Sequence, residues 1–272
     1  MIEAAVTHYQ VTGKTDFFET ITRLANHIVS NFGPEINKRK GYPGHPEIEF
    51  ALLKLYRVSQ DRRYLRLAEF FINQRGEKPW YFDLEAKKRN EISPTWPFWT
   101  PEYCQAHLPV REQKEAVGHA VRAMYLYSAM ADLAYETDDE ALFETCKILW
   151  NDVTQHKMYI TGGIGSSSTG EAFTLSYDLP PDSAYAETCA SIGLIFWAQR
   201  MLHLDLDHQY ADVMERALYN NVLSGVSLDG MKYFYANPLE IWPEVCQKRS
   251  DLAHIKTVRQ PWFDCALSLI HI

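Results

Sequence analysis

Between Tyr159 and Ala190 the sequence gathers the side chains best suited to chemistry: Glu171, Glu187 and Cys189, in a stretch that also holds Gly162, Gly163, Gly165, Gly170 and the pair Pro180-Pro181. The two glutamates are 16 residues apart on one polar loop. Two carboxylates facing one bond suit glycosidic cleavage, in which one protonates the leaving oxygen and the other attacks or activates water. The plainer reading is a pair of solvated acids. Glu187 and Cys189 are i and i+2, so on a helix they point about 200° apart. They can share an ion only if the chain is extended there, and thiolate plus carboxylate is then half of a zinc site, with Cys246, Cys265 or a histidine completing it. The alternative is an inert buried thiol.

His45 and His119 each follow a glycine at the start of a helix, and read either as ligand contacts or as buried structural histidines. His8, His27, His156, His203 and His208 look like ordinary helix or turn residues. Gly162-Gly163-Ile164-Gly165 lacks the Gly-Lys-Ser/Thr of a phosphate loop and has no strand-to-helix context, which argues against nucleotide binding. Its glycines would instead take positive φ angles, or let the backbone and Glu171 approach a ligand closely.

The elements that must carry these residues read as helix pairs. Apolar spacing predicts two helical segments from Ile2 to Asn31 with a break at 11–16, then helices from Pro46 to Tyr56 and from Arg63 to Gln74. The two pairs align as a repeat with 46 residues from Ile2 to Ile48. Residues 77–109, with Trp80, Trp96, Trp99 and five prolines, are expected to be an irregular connector. A third pair runs from 117 to 153 with its turn at 136–139. A fourth runs from 189 to 204 and from 208 to 223, with Thr188 as a cap. Residues 231–238 read as a short strand and turn. Helix pairs with long loops between them predict an all-α fold, an incomplete (α/α)6 barrel with a few short strands in its loops.

The formal charge of −8 argues against nucleic acid or an anionic membrane as partner and favours a small polar ligand. Aromatic residues make up 13% and could stack on sugars, though at helical spacing they serve equally as core. Five widely spaced cysteines do not suggest a disulfide framework, and no signal-like or membrane-spanning segment is evident, so a cytoplasmic protein is expected.

Several stretches together resemble glycoside hydrolase family 127, the β-L-arabinofuranosidases. They are Gly-Tyr-Pro-Gly-His-Pro-Glu (41–47), Ala-His-Leu-Pro-Val-Arg (106–111), Ala-Val-Gly-His-Ala-Val-Arg (116–122), Thr-Gly-Gly-Ile-Gly (161–165), Tyr-Ala-Glu-Thr-Cys-Ala (185–190) and Tyr-Ala-Asn-Pro-Leu (235–239). The resemblance implies an (α/α)6 barrel followed by β-sandwich domains, and a retaining, zinc-dependent glycosidase acting on non-reducing-end arabinofuranosides. It assigns Glu171 as general acid/base, Glu187 and Cys189 as zinc ligands, and His45, His119 and Tyr235 as contacts to the sugar. The expected partner is a small carbohydrate, and a homodimer is compatible with the complete protein.

The family's nucleophile is a zinc-bound cysteine in a Cys-x-Cys-Cys motif after Trp-Phe-Asp. Here Trp262-Phe263-Asp264-Cys265-Ala266 begins that motif, but Leu267 and Ser268 stand where the cysteine pair belongs, so the role is not transferred to Cys265. Leu267–Ile272 can be encoded by CTG TCT CTT ATA CAC ATC, which matches a sequencing-adapter end. Residues 1–266 are therefore expected to be a barrel fragment truncated at both ends, with 267–272 a non-native tail, and the fragment is expected to be inactive. Rival readings are an epimerase or unsaturated uronyl hydrolase on a similar barrel, and a helical-repeat carbohydrate-binding module.

Overall fold

The computed structural model describes residues 1–91 and 99–261. Trp96, Cys265 and everything from Trp262 onward lie outside the described residues. The described residues are all-α apart from one two-stranded pairing, and the chain divides into two compact units. The first comprises Met1–Gln113 and Tyr125–Thr145, and the second Lys114–Met124 and the described residues from Cys146 onward. Among the described residues no helix is long and apolar enough to cross a membrane.

The first unit opens with helix α1 (Ile2–Thr12) packed on α2 (Asp16–Asn31), followed by α3 (Ile48–Ser59) packed on α4 (Arg62–Gln74); α1 also packs on α3. The repeat is visible in how the first helix of each pair stops. Gly13 (φ 69°) donates its N–H to Tyr9 O at 2.8 Å, and Gln60 (φ 57°) donates to Tyr56 O at 2.7 Å, the left-handed cap that reverses the chain. Asp61 then starts α4 by accepting from Arg63 N at 3.0 Å.

Leu52, Leu53, Leu55, Ala68 and Ile72 form the apolar interior of this unit. Inside it lies a fully buried ion pair, Arg75 to Glu49 at 3.1 Å. Arg75 also donates to Pro43 O and Cys104 O and sits 4.7 Å over the Tyr42 ring, which compensates the cost of burying its charge. The expected irregular connector contains an eight-residue helix, α5 (Tyr81–Lys88), a correction to the sequence reading. Its prolines flank that run, so nothing interrupts the backbone hydrogen bonds within it. From Tyr125 on, α6 (Ala120–Thr137) belongs to this unit, as do the first residues of α7 (Glu140–His156). The turn between them repeats the same device: Asp138 takes φ 51°, and Asp139 Oδ1 accepts from Leu142 N at 2.9 Å.

In the second unit α7 packs its Trp150 against Trp197 of α8 (Thr188–Leu204) and Tyr210 of α9 (His208–Ala217), with centroids at 5.0 and 4.8 Å. Gly193 lets α8 approach Met124, since a Cβ there would lie 2.7 Å from Met124 Cβ. Asp207 caps α9 through Gln209 N at 3.0 Å. A single-turn helix, α10 (Pro243–Cys246), follows.

Two further expectations are revised in this unit. The strand proposed for 231–238 is limited to β1 (Lys232–Tyr233), paired antiparallel with β2 (Gln260–Pro261). Thr188 is the first residue of α8 rather than its cap, because its hydroxyl donates to Phe234 O at 2.6 Å instead of accepting from the helix.

Candidate active site

Glu171, Glu187, Cys189, His119 and Tyr235 all fall in the second unit, and backbone hydrogen bonds assemble them. Phe173 N donates to Gly118 O at 2.9 Å and Ala172 bridges His119, which sets the Glu171 turn beside the residue that opens α6. Glu171 itself holds φ 52°, in the left-handed region that non-glycine residues rarely occupy. Tyr185 N donates to Ser166 O and Ala186 N to Gly165 O, so the Tyr185–Glu187 segment runs against the glycine loop.

The glycines serve this internal packing. A Cβ on Gly162 would sit 2.7 Å from the Ala217 backbone, and one on Gly165 2.8 Å from Ala120 Cβ. They bring the loop close to the protein's own helices, and Gly162, Gly165 and Gly170 take the positive φ angles expected from the sequence.

Glu187 precedes α8 with non-helical backbone (φ −57°, ψ 135°), while Thr188 and Cys189 already lie in the helix. The segment around Tyr235 is clasped to this helix start. Thr188 N donates to Tyr235 O at 2.9 Å, Asn237 N donates to Tyr185 O at 3.0 Å, and Asn237 Nδ2 donates to Ala186 O and Thr188 Oγ1.

The side chains converge as follows. Glu171 Oε2 accepts from His119 Nε2 at 2.7 Å, and Glu171 Oε1 accepts from the Tyr185 hydroxyl at 2.7 Å. Glu187 Oε1 accepts from the Tyr235 hydroxyl at 2.6 Å. One nitrogen or oxygen from each of His119, Glu171 and Glu187 lies within 4.8 Å of the others. The two acids differ in environment. The hydrogen bond from His119, with that from Tyr185 adding to it, holds Glu171 below the usual carboxylate range. Burial, with the Glu171 charge adding to it, pushes Glu187 up to about 7. Glu187 Oε2 is buried and accepts no hydrogen bond among the described residues. The Cys189 thiol is buried and close enough to Glu187 to hydrogen-bond its carboxyl.

Of the residues singled out from sequence, His45 lies in the first unit, where its ring packs 5.4 Å from that of Tyr125. Cys246, in α10, does not join the cluster of His119, Glu171 and Glu187. Tyr185 was missed. No local spacing rule marked it, since Ala186 between Tyr185 and Glu187 takes φ 38° rather than extended geometry.

The described fold is all-α, and its second unit brings the two glutamates together with His119. The chain belongs to the β-L-arabinofuranosidase family with the glycoside hydrolase family 127 catalytic domain, whose family model matches residues 1–267. It is 43% identical over 267 residues to a non-reducing end β-L-arabinofuranosidase of Bifidobacterium longum subsp. longum, covering 97% of this chain and 40% of that protein. A crystal structure of a family 127 β-L-arabinofuranosidase from Geobacillus stearothermophilus T6 superposes with a TM-score of 0.95 at 55% identity, covering 98% of this chain and 42% of the other. A second family 127 β-arabinofuranosidase structure gives 0.82 at 42% identity, covering 98% and 37%. The chain thus spans about 40% of the length of these relatives.

Proposed function

We propose that this chain carries the acid/base half of a retaining β-L-arabinofuranosidase acting on non-reducing-end arabinofuranosides, with Glu171 as the proton-transfer residue. The observation that supports this most is the pair of carboxylates within 4.8 Å of one another, one held charged and the other largely desolvated, on a chain of this family.

Glu171 donates a proton to the departing oxygen and then takes one from the incoming water. At rest it is charged, as the second of these steps requires. A sugar seated over it would remove solvent from a side chain now 34% exposed and shift the carboxyl back toward its protonated form. His119 and Tyr235 border the same space and are assigned to the sugar; His45 is assigned to it by resemblance alone.

Glu187 and Cys189 fit zinc, since a buried carboxylate oxygen without a donor and a buried thiol are both zinc-type ligands. His119 and Glu171 fit it less well as a pair, because 2.7 Å is shorter than the roughly 3.3 Å between two ligands of a tetrahedral zinc. Zinc bound at Glu187 and Cys189 would supply the positive charge that keeps a coordinated thiol deprotonated.

Leu267 and Ser268 occupy the positions where the resemblance expects the nucleophile, so the test supplies one from outside. The chain is incubated with aryl β-L-arabinofuranosides and azide. An azide nitrogen bonds to C1 as the C1–O bond breaks, and the aryl oxygen leaves with the proton from Glu171. Glu171→Gln is expected to slow formation of the inverted arabinosyl azide about 100-fold for a phenyl leaving group and only a few-fold for dinitrophenyl, which needs no proton. No azide product from the wild-type chain, or equal losses with both leaving groups, would count against the assignment.

A further inference from the structure

We infer that Tyr185 is a positioning residue for Glu171, one that assigns proton transfer to a single carboxylate oxygen, Oε2. The inference rests on the acid/base reading of Glu171. The Tyr185 hydroxyl occupies Glu171 Oε1 at 2.7 Å, and Tyr185 is itself fixed at three points. Its N–H donates to Ser166 O at 3.0 Å, its carbonyl accepts from Asn237 N at 3.0 Å, and its ring meets the edge of Tyr235 at 5.9 Å. A hydroxyl anchored in this way leaves the Glu171 carboxyl one orientation.

The Tyr185 hydroxyl is the donor in this contact, because an ionised carboxylate can only accept. An ionised carboxylate offers acceptor sites on two oxygens. With Oε1 taken by a rigid donor, Oε2 is the oxygen left to face a leaving group. Its present partner, His119 Nε2, comes from a different segment and is one that an arriving glycosidic oxygen can replace.

The arrangement is paralleled at the second glutamate, where Tyr235 donates to Glu187 Oε1. The two tyrosines touch through their rings, and Asn237 joins their segments by donating to the Tyr185 carbonyl. A donor that only filled space would not need to be held by its backbone on both sides. Tyr185 therefore acts through Glu171.

The test is a double-mutant cycle in the azide reaction, using wild type, Tyr185→Phe, Glu171→Gln and the double variant, each with phenyl and dinitrophenyl leaving groups. The phenylalanine keeps the ring contacts, and a melting temperature near that of wild type confirms that it folds. Tyr185→Phe is expected to lower kcat about tenfold for the phenyl substrate, with KM changed less than twofold and a much smaller loss for dinitrophenyl. In the Glu171→Gln background it is expected to have almost no further effect. Unchanged kcat, equal losses with both leaving groups, or the same tenfold loss on top of Glu171→Gln would overturn the inference. If Glu171→Gln itself shows no dependence on leaving group, the acid/base reading fails and this inference falls with it. Loss of that dependence in Tyr185→Phe alone cannot arise that way, so the two failures are distinguishable.

Discussion

At the scale of single residues, two glutamates of the same chemical type are given different properties by their neighbours. Glu171 is part-exposed and accepts from two donors, which favours its charge, while Glu187 is nearly enclosed and accepts from Tyr235 on one oxygen. The Tyr235 hydroxyl therefore orients the proposed zinc-binding carboxylate from behind. Groups of this kind usually contribute ten- to a hundredfold to metal affinity. Tyr235→Phe is expected to weaken zinc binding by about tenfold, measured by competition with a chromophoric chelator. Undiminished affinity would count against Glu187 as a ligand.

At the scale of elements, the helix pairs are held by turn chemistry that repeats along the chain. Asp139 caps α7 through Leu142 N and also pairs with Arg111 through two contacts, of 3.0 and 2.6 Å. Hydrogen bonds from Arg111 first, and from the helix backbone second, hold its carboxyl below the ordinary range. A depressed carboxyl stabilises the fold above its unfolded value and loses that contribution as pH falls through its folded value. Asp139→Ala is thus expected to cost about 1 kcal/mol near pH 6, the usual worth of a cap. The difference from wild type in denaturant midpoint should shrink below about pH 4, the unfolded range of an aspartate, and be lost at lower pH. A difference that persisted undiminished to pH 2 would show that packing, not the charged cap, is responsible.

Glycines in two of the turns separate conformational from steric demand. Gly13 and Gly162 both take positive φ, 69° and 86°, but a Cβ on Gly13 meets nothing within 4 Å whereas one on Gly162 meets the α9 backbone. Gly13→Ala should cost about 1 kcal/mol, the conformational penalty alone. Gly162→Ala should cost roughly 3 kcal/mol or more in thermal or denaturant melts, since backbone cannot swing aside as a side chain can. Equal costs would mean that the glycine loop is free to shift.

At the scale of the whole molecule, zinc binding and stability are linked. A metal that binds only the folded chain adds about 2.7 kcal/mol when its concentration is 100 times Kd. Zinc should therefore raise the melting temperature of the wild-type chain in a concentration-dependent way, and Cys189→Ser should remove most of that rise. An identical rise in both would place the metal elsewhere.

The helix pairs were legible because their signals are local: apolar residues at helical spacing and turn residues within a few positions of each helix end. Gln60-Asp61 and Asp138-Asp139 set their turns through contacts between residues only two to five positions apart. Helix α5 was less legible because its eight residues lie among prolines and tryptophans that suggested irregularity. The candidate acids and the thiol were recognisable by type and spacing, and the family by its run of motifs.

By itself, then, the sequence determined the all-α class, the order of helix pairs and the family, and it singled out Glu171, Glu187 and Cys189 as candidate chemical groups. The tertiary structure decided which groups meet. His119 reaches Glu171 across 52 residues and Tyr235 reaches Glu187 across 48. Such pairs depend on where separate segments dock, and that is set by backbone hydrogen bonds and packing summed over the unit rather than by any local pattern. The same docking gives one glutamate two donors and buries the other, so their different readiness to hold a proton is a property of the folded chain.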